Sequence, residues 1–141
     1  MLNIIPVETA VPLCDQICDF LMSCGGAYHK LTREMQESVL ACLASRQFII
    51  RIDGKGDIQY FACWFKIHPD DVEGMKERVR PYDVYTGSVM YVVEAGNKLG
   101  KRGMVEMVKK IRAKAEGMKG VFWHRPTKQD KVFDFPSQKG A

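Results

Sequence analysis

The chain has 141 residues, 46% hydrophobic and 27% charged, which excludes a disordered tail, a collagen-like fibre and a coiled-coil rod. Apolar runs such as Val89 to Val93 fall far short of the roughly 20 residues a membrane-crossing helix requires, and Met1-Leu2-Asn3-Ile4-Ile5-Pro6 has neither the basic nor the apolar region of an export signal. The net charge of +4 hides an asymmetry: the first 96 residues carry 9 basic and 13 acidic side chains, the last 45 carry 12 and 4, so the last third favours an anionic partner such as nucleic acid, a phosphorylated cofactor or an acidic protein.

In chain order, Leu13, Ile17, Phe20, Leu21 and Cys24 follow helical spacing, and Gly25-Gly26 stops that helix. Leu31, Met35, Val39 and Cys42 or Leu43 repeat the pattern in a second helix. Gln47 to Ile52 reads as a strand from its β-branched content. Asp53-Gly54-Lys55-Gly56 is turn chemistry, and Ile58 to Ile67 completes an antiparallel hairpin. His68-Pro69-Asp70-Asp71 opens a short helix, since proline and acids suit a first helical turn. Val89 to Val93 is apolar on both faces, as a central strand is. Gly96 to Gly103 reads as a Gly/Lys loop, and Met104, Met107, Val108, Ile111, Ala115 and Met118 as an amphipathic helix. Strands at Gly120 to His124 and Val132 to Phe135 close the chain. The order ααββαβαββ predicts an α/β fold with a mixed central sheet flanked by helices. No repeat or linker divides it, so one domain over residues 1–141 is expected.

The segment Glu94-Ala95-Gly96-Asn97-Lys98-Leu99-Gly100-Lys101-Arg102-Gly103 joins the buried strand to the long helix. A helix N-terminus exposes unpaired N–H groups and carries partial positive charge. Glycines allow close backbone approach, and Lys98, Lys101 and Arg102 add full charges, so the segment is a candidate anion cradle. It is neither a P-loop nor a G-x-G-x-x-G fingerprint. The alternative is a solvated loop with a glycine for tight packing.

Strand, Gly-containing loop and helix in this order resemble the CoA-binding core of the GNAT acyltransferases, although the leading Gln or Arg is missing and the second glycine stands one place late. Several features are similar to a narrower group, the toxin-activating lysine acyltransferases. These are Phe20-Leu21-Met22-Ser23 followed by His29, Tyr60-Phe61-Ala62-Cys63-Trp64, Gly87 to Ala95, and Gly100-Lys101-Arg102-Gly103 before a long helix. The matches cover about residues 17 to 117. The ending, Trp123 to Gly140, looks more like small phage or prophage acetyltransferase-like proteins.

The resemblance implies a GNAT-like domain that moves an acyl group from acyl-CoA or acyl carrier protein to an amine, a protein lysine being the expected acceptor. No permanently bound cofactor is expected, and a homodimer fits the superfamily. Carried over by motif, the catalytic pair is His29 and Glu94, with Glu94 standing where the family has aspartate. An acceptor amine must lose a proton before attacking a thioester, and histidine titrates near neutral pH. A carboxylate orients such an imidazole, or acts as the base itself. The same resemblance assigns donor binding to Ala95, Asn97, Lys98, Gly100, Lys101, Arg102 and Gly103. The competing reading is a non-catalytic module of the same fold whose basic last third binds nucleic acid or a phage protein. In bland terms, His29 is a surface residue near a helix start and Glu94 a partner of a nearby cation.

Cys14, Cys18, Cys24, Cys42 and Cys63 are odd in number, which fits reduced thiols in a cytoplasm. Cys14, Cys18, Cys24 and His29 have the spacing C-x3-C-x5-C-x4-H, which matches no common zinc arrangement. Small core residues are expected instead, with no metal site and no catalytic cysteine. Trp64 and Trp123 are expected in the core, and His68 at a helix start. His124 and Arg125 are a strand-end pair with a ligand contact as the alternative. Lys109, Lys110, Arg112 and Lys114 form the solvated side of their helix, or else a docking face for an acidic carrier or nucleic acid.

Overall fold

The computed structural model describes residues 6–24, 31–77, 79–125 and 131–135. Its elements are α1 (Val7–Ser23), α2 (Arg33–Ala44), β1 (Phe48–Ile52), β2 (Ile58–Ile67), a 3-10 turn (Pro69–Asp71), α3 (Val72–Lys76), β3 (Val89–Asn97), α4 (Gly100–Lys114), β4 (Gly120–Arg125) and β5 (Lys131–Phe135). The five strands lie in sequence order in one sheet, antiparallel except where β3 runs parallel to β4. This is the expected mixed α/β arrangement, with helices on both faces of the sheet.

Each face carries its own apolar cluster. Ile17, Cys18, Leu21, Met35, Val39, Cys42 and Leu43 of α1 and α2 pack against Phe61, Cys63, Phe65, Ile67, Val89 and Tyr91. On the other face Met107, Ile111 and Ala115 pack against Tyr60, Ala62, Trp64, Met90, Val92, Val121 and Trp123. The alternation of the strands thus divides β2 and β3 between two cores. Both tryptophans are buried, as expected.

The helix boundaries follow local chemistry. Thr32 caps α2 by accepting from the Met35 N–H at 3.1 Å, so the helix starts after Leu31, which lies outside it and is exposed. α2 ends in a 6→1 bond from Gln47 N–H to the Cys42 carbonyl and a 5→2 bond from Arg46 N–H to the Leu43 carbonyl. That pattern puts Arg46 in the left-handed region at φ 59. The buried Gln47 amide then donates to the carbonyls of Trp64 (2.9 Å) and Val84 (3.1 Å), tying the segment before β3 to the end of β2. His68 caps the 3-10 turn through Nδ1, which accepts from Asp70 N–H, the helix-start role its position suggested.

The loop expected from Gly96 to Gly103 is largely absent. β3 runs on to Asn97 and α4 already begins at Gly100, leaving only Lys98 and Leu99 between them. Strand pairing explains the difference: Ala62, Phe61 and Tyr60 of β2 hold Ala95, Gly96 and Asn97 in register, and Lys98 N–H donates to the Gln59 carbonyl at 2.9 Å. No described helix is long and apolar enough to cross a membrane.

Candidate functional site

The sheet changes character halfway along β3. From Val89 to Val92 the strand is paired on both sides, to β2 and to Gly120–Trp123 of β4. Beyond Val92 and Trp123 the β3–β4 pairing stops, although β3 continues to Asn97 beside β2 and β4 continues to Arg125 beside β5. The carboxyl ends of two neighbouring parallel strands therefore separate, the place where open α/β sheets accept ligands.

A bulge sits at the same point. Trp64 pairs with Val92 but Cys63 pairs with Glu94, which leaves Val93 as an extra residue. Simple alternation would put Glu94 on the same face as Val92, under α4. The extra residue instead places Glu94 on a rung with Cys63, on the α1/α2 face. Its half-buried carboxylate lies near Cys18 and Cys63 and helps push both thiols up, burial being the main cause at each. Cys18 reaches about 12. Cys14 and Cys24 are also raised, chiefly by burial, and Lys98 partly offsets the effect at Cys24. Thiols held protonated in this way are poor nucleophiles. Four of the five cysteines are buried and Cys24 is half-buried, the core role expected of them. Among the described residues no group of three or more His, Cys, Asp or Glu is placed to hold a metal.

The turn into α4 is built around Asn97. Its Oδ1 accepts from Leu99 N–H at 2.9 Å and its Nδ2 donates to the Gly100 carbonyl at 2.7 Å. Gly103 packs on that amide so closely that a Cβ would lie 2.1 Å from Asn97 Oδ1. Gly100, at φ +66, takes the left-handed conformation the turn requires. The α4 N-terminus has no side-chain cap and no acid in its first turn; Lys101 and Arg102 occupy that turn and are exposed. Lys98 does not join them. Its Nζ lies 5.6 Å from the Phe20 ring centroid, on the α1 side. The three-cation cradle is thus divided into a pair on α4 and one cation against α1.

Of the donor-binding candidates, Asn97, Gly100, Lys101, Arg102 and Gly103 come together in this turn, while Ala95 lies half-buried on the α4 face of β3. His29 lies outside the described residues, as do the side chains of His124 and Arg125. Sequence reasoning missed Phe20 and Gly96 as partners: a Cβ on Gly96 would meet Leu21 Cδ2 at 2.8 Å and Cys24 Sγ at 3.0 Å, so the end of α1 closes directly on this part of β3. Nothing in the sequence signals the bulge at Val93.

No protein-family model and no curated protein sequence matches the chain. Among solved structures it is similar to an acetyltransferase, with 11% identity and a TM-score of 0.39, over 87% of this chain and 79% of that one.

Proposed function

We propose that the protein transfers an acyl group from a pantetheine thioester, on CoA or acyl carrier protein, to an amine, with a protein lysine as acceptor. The observation that carries this reading is the separation of β3 and β4 beyond Val92 and Trp123, beside the bulge at Val93 and the uncapped start of α4. A thioester arm would lie along the open edge of β3. Its phosphate would meet the first-turn N–H groups of α4 with Lys101 and Arg102 alongside. The resemblance to the GNAT and toxin-activating acyltransferases, and to their phage-type relatives, agrees with that placement.

In this scheme Glu94 is the base on the α1/α2 face. It accepts a proton from the acceptor ammonium, directly or through one water. The freed amine nitrogen attacks the thioester carbonyl carbon, a C–N bond forms, the C–S bond breaks, and the departing thiolate takes up the second proton that the nitrogen loses in becoming an amide. A backbone N–H on the edge of β3 beyond Val92, where pairing to β4 stops, would stabilise the developing oxyanion. His29 is assigned to the same step only by the resemblance.

Thermal unfolding with acetyl-CoA, longer acyl-CoAs, CoA and acyl carrier protein tests this reading. Ligand at 100 times its Kd should stabilise the chain by about 2.7 kcal/mol. The stabilisation should vanish when Lys101→Glu and Arg102→Glu are combined. This pair is preferable to substitutions at Gly103, where any side chain collides with Asn97. No shift with any thioester, free or carrier-bound, would reject acyl transfer.

A further inference from the structure

We propose that the outward face of α4 docks an acidic amphipathic helix of a partner protein. Gly103, Met107 and Ile111 turn inward, so Arg102, Val105 and Lys109 point away from the sheet at helical spacing, with Lys101 at their edge. Every exposed charged residue on α4 is a cation: Lys101, Arg102, Lys109, Lys110 and Lys114. The helix has one acid, Glu106, which is half-buried and already bound to Arg51 on β1 and to Lys110. Lys110 also lies over the Tyr60 ring. Charge on the Arg102–Lys109 face is therefore left for an external anion, and Lys101 and Arg102 stand at the helix end where the dipole already favours one.

Val105 decides what kind of anion. It is 65% exposed and lies one helical turn from Lys101, Arg102 and Lys109. An aliphatic centre with a charged rim is the anatomy of a small protein contact. A nucleic-acid backbone would engage the cations and leave Val105 in water. Lys101 to Lys109 spans about 12 Å along the helix axis, two turns of a facing helix that carries leucine between glutamates. The surface borders the turn assigned to the phosphate and shares Lys101 and Arg102 with it, whereas Val105 and Lys109 lie outside that turn and report on docking alone.

The test is binding of the full chain to two labelled synthetic peptides of equal negative charge, a Glu/Leu amphipathic helix and its Leu→Ser counterpart, and to a mixed-sequence DNA duplex. Lys109→Glu should weaken the Glu/Leu peptide about tenfold, by losing one charge and adding a repulsive one. Val105→Asp should weaken it several-fold, and the Leu→Ser peptide should bind the unaltered chain correspondingly less well. Both variants should retain whatever stabilisation free CoA and the acyl-CoAs give, so failure here is distinguishable from failure of the acyl-transfer reading. Equal affinity for the two peptides overturns the proposal. So does DNA binding that outcompetes the Glu/Leu peptide and ignores Val105→Asp, or dimerisation of the chain that Lys109→Glu abolishes. If Val105→Asp lowers the melting temperature, Val105→Ser replaces it.

Discussion

The two halves of β3 are one strand with two different occupations. Val89 to Val92 is buried and paired on both sides, whereas Glu94 to Asn97 is half-buried and paired only to β2. The first half is held by packing, with Tyr91 stacked 6.0 Å from Phe122 and Met90 and Val92 under α4. The second half is held by its ladder to β2, by Gly96 in close contact with Leu21 and Cys24, and by Asn97, which folds the next turn. One bulged residue separates the two regimes, so a stable strand can carry a polar site at its end without exposing its core.

Substitutions in each half should separate them. Tyr91→Ala should cost the most, about 3–5 kcal/mol by loss of a fully buried aromatic, measured as a shift in the urea midpoint. Glu94→Gln should instead leave that midpoint nearly unchanged and lower turnover about 10²–10⁴-fold, the range of a lost general base. A destabilisation as large as that of Tyr91→Ala would make the second half core as well. Gly103→Ala should cost about 1–3 kcal/mol, because the added methyl must displace Asn97 and Leu99.

The smallest effect has the most informative sign. Lys101→Glu and Arg102→Glu, each placing an acid at the positive end of α4, should stabilise the ligand-free chain by about 0.3–1 kcal/mol apiece. Together they should abolish the thioester-induced rise in melting temperature. Ligand-free stability and ligand response moving in opposite directions would mark that turn as a site rather than a scaffold.

The buried thiols add a pH dependence on the α1/α2 face. Cys18 is raised from 9.0 to about 12, chiefly by burial, and Cys14, Cys24 and Cys63 are raised as well. Their protonated forms are favoured by folding. That stability is fully present below about pH 9, where unfolded thiols are still protonated, and is lost as pH rises towards 12. Urea midpoints in reductant should hold to about pH 9 and then fall, less steeply in Cys18→Ala. A decline equally steep in that variant would remove Cys18 from the explanation.

Much of the architecture was legible in the sequence because hydrophobic period and turn chemistry are local. The stripe from Leu13 to Cys24, the hairpin around Asp53 to Gly56 and the amphipathic run from Met104 to Ile111 each specify their own element, although α4 ends at Lys114 and leaves Met118 outside it. Thr32 could also have been read as a cap, which would have kept Leu31 out of α2. The glycines at 100 and 103 marked the turn into α4 correctly, but not its length. The strand extends to Asn97 through hydrogen bonds to β2, where Tyr60, the partner of Asn97, stands 37 residues earlier in the chain.

The site followed the same division. Residue types singled out Lys101 and Arg102, because cations beside a Gly-containing helix start have recognisable chemistry, whereas Glu94 was singled out by the family resemblance. Their arrangement depended on the assembled sheet. Lys98 turned to Phe20 because α1 closes over that end of β3, a contact between residues 78 positions apart. Glu94 faces α1 and α2 because Val93 is left over when β2 and β3 come into register. A strand's period of two predicts a side chain's face only while pairing is regular, and the position of an extra residue is set by the partner strand.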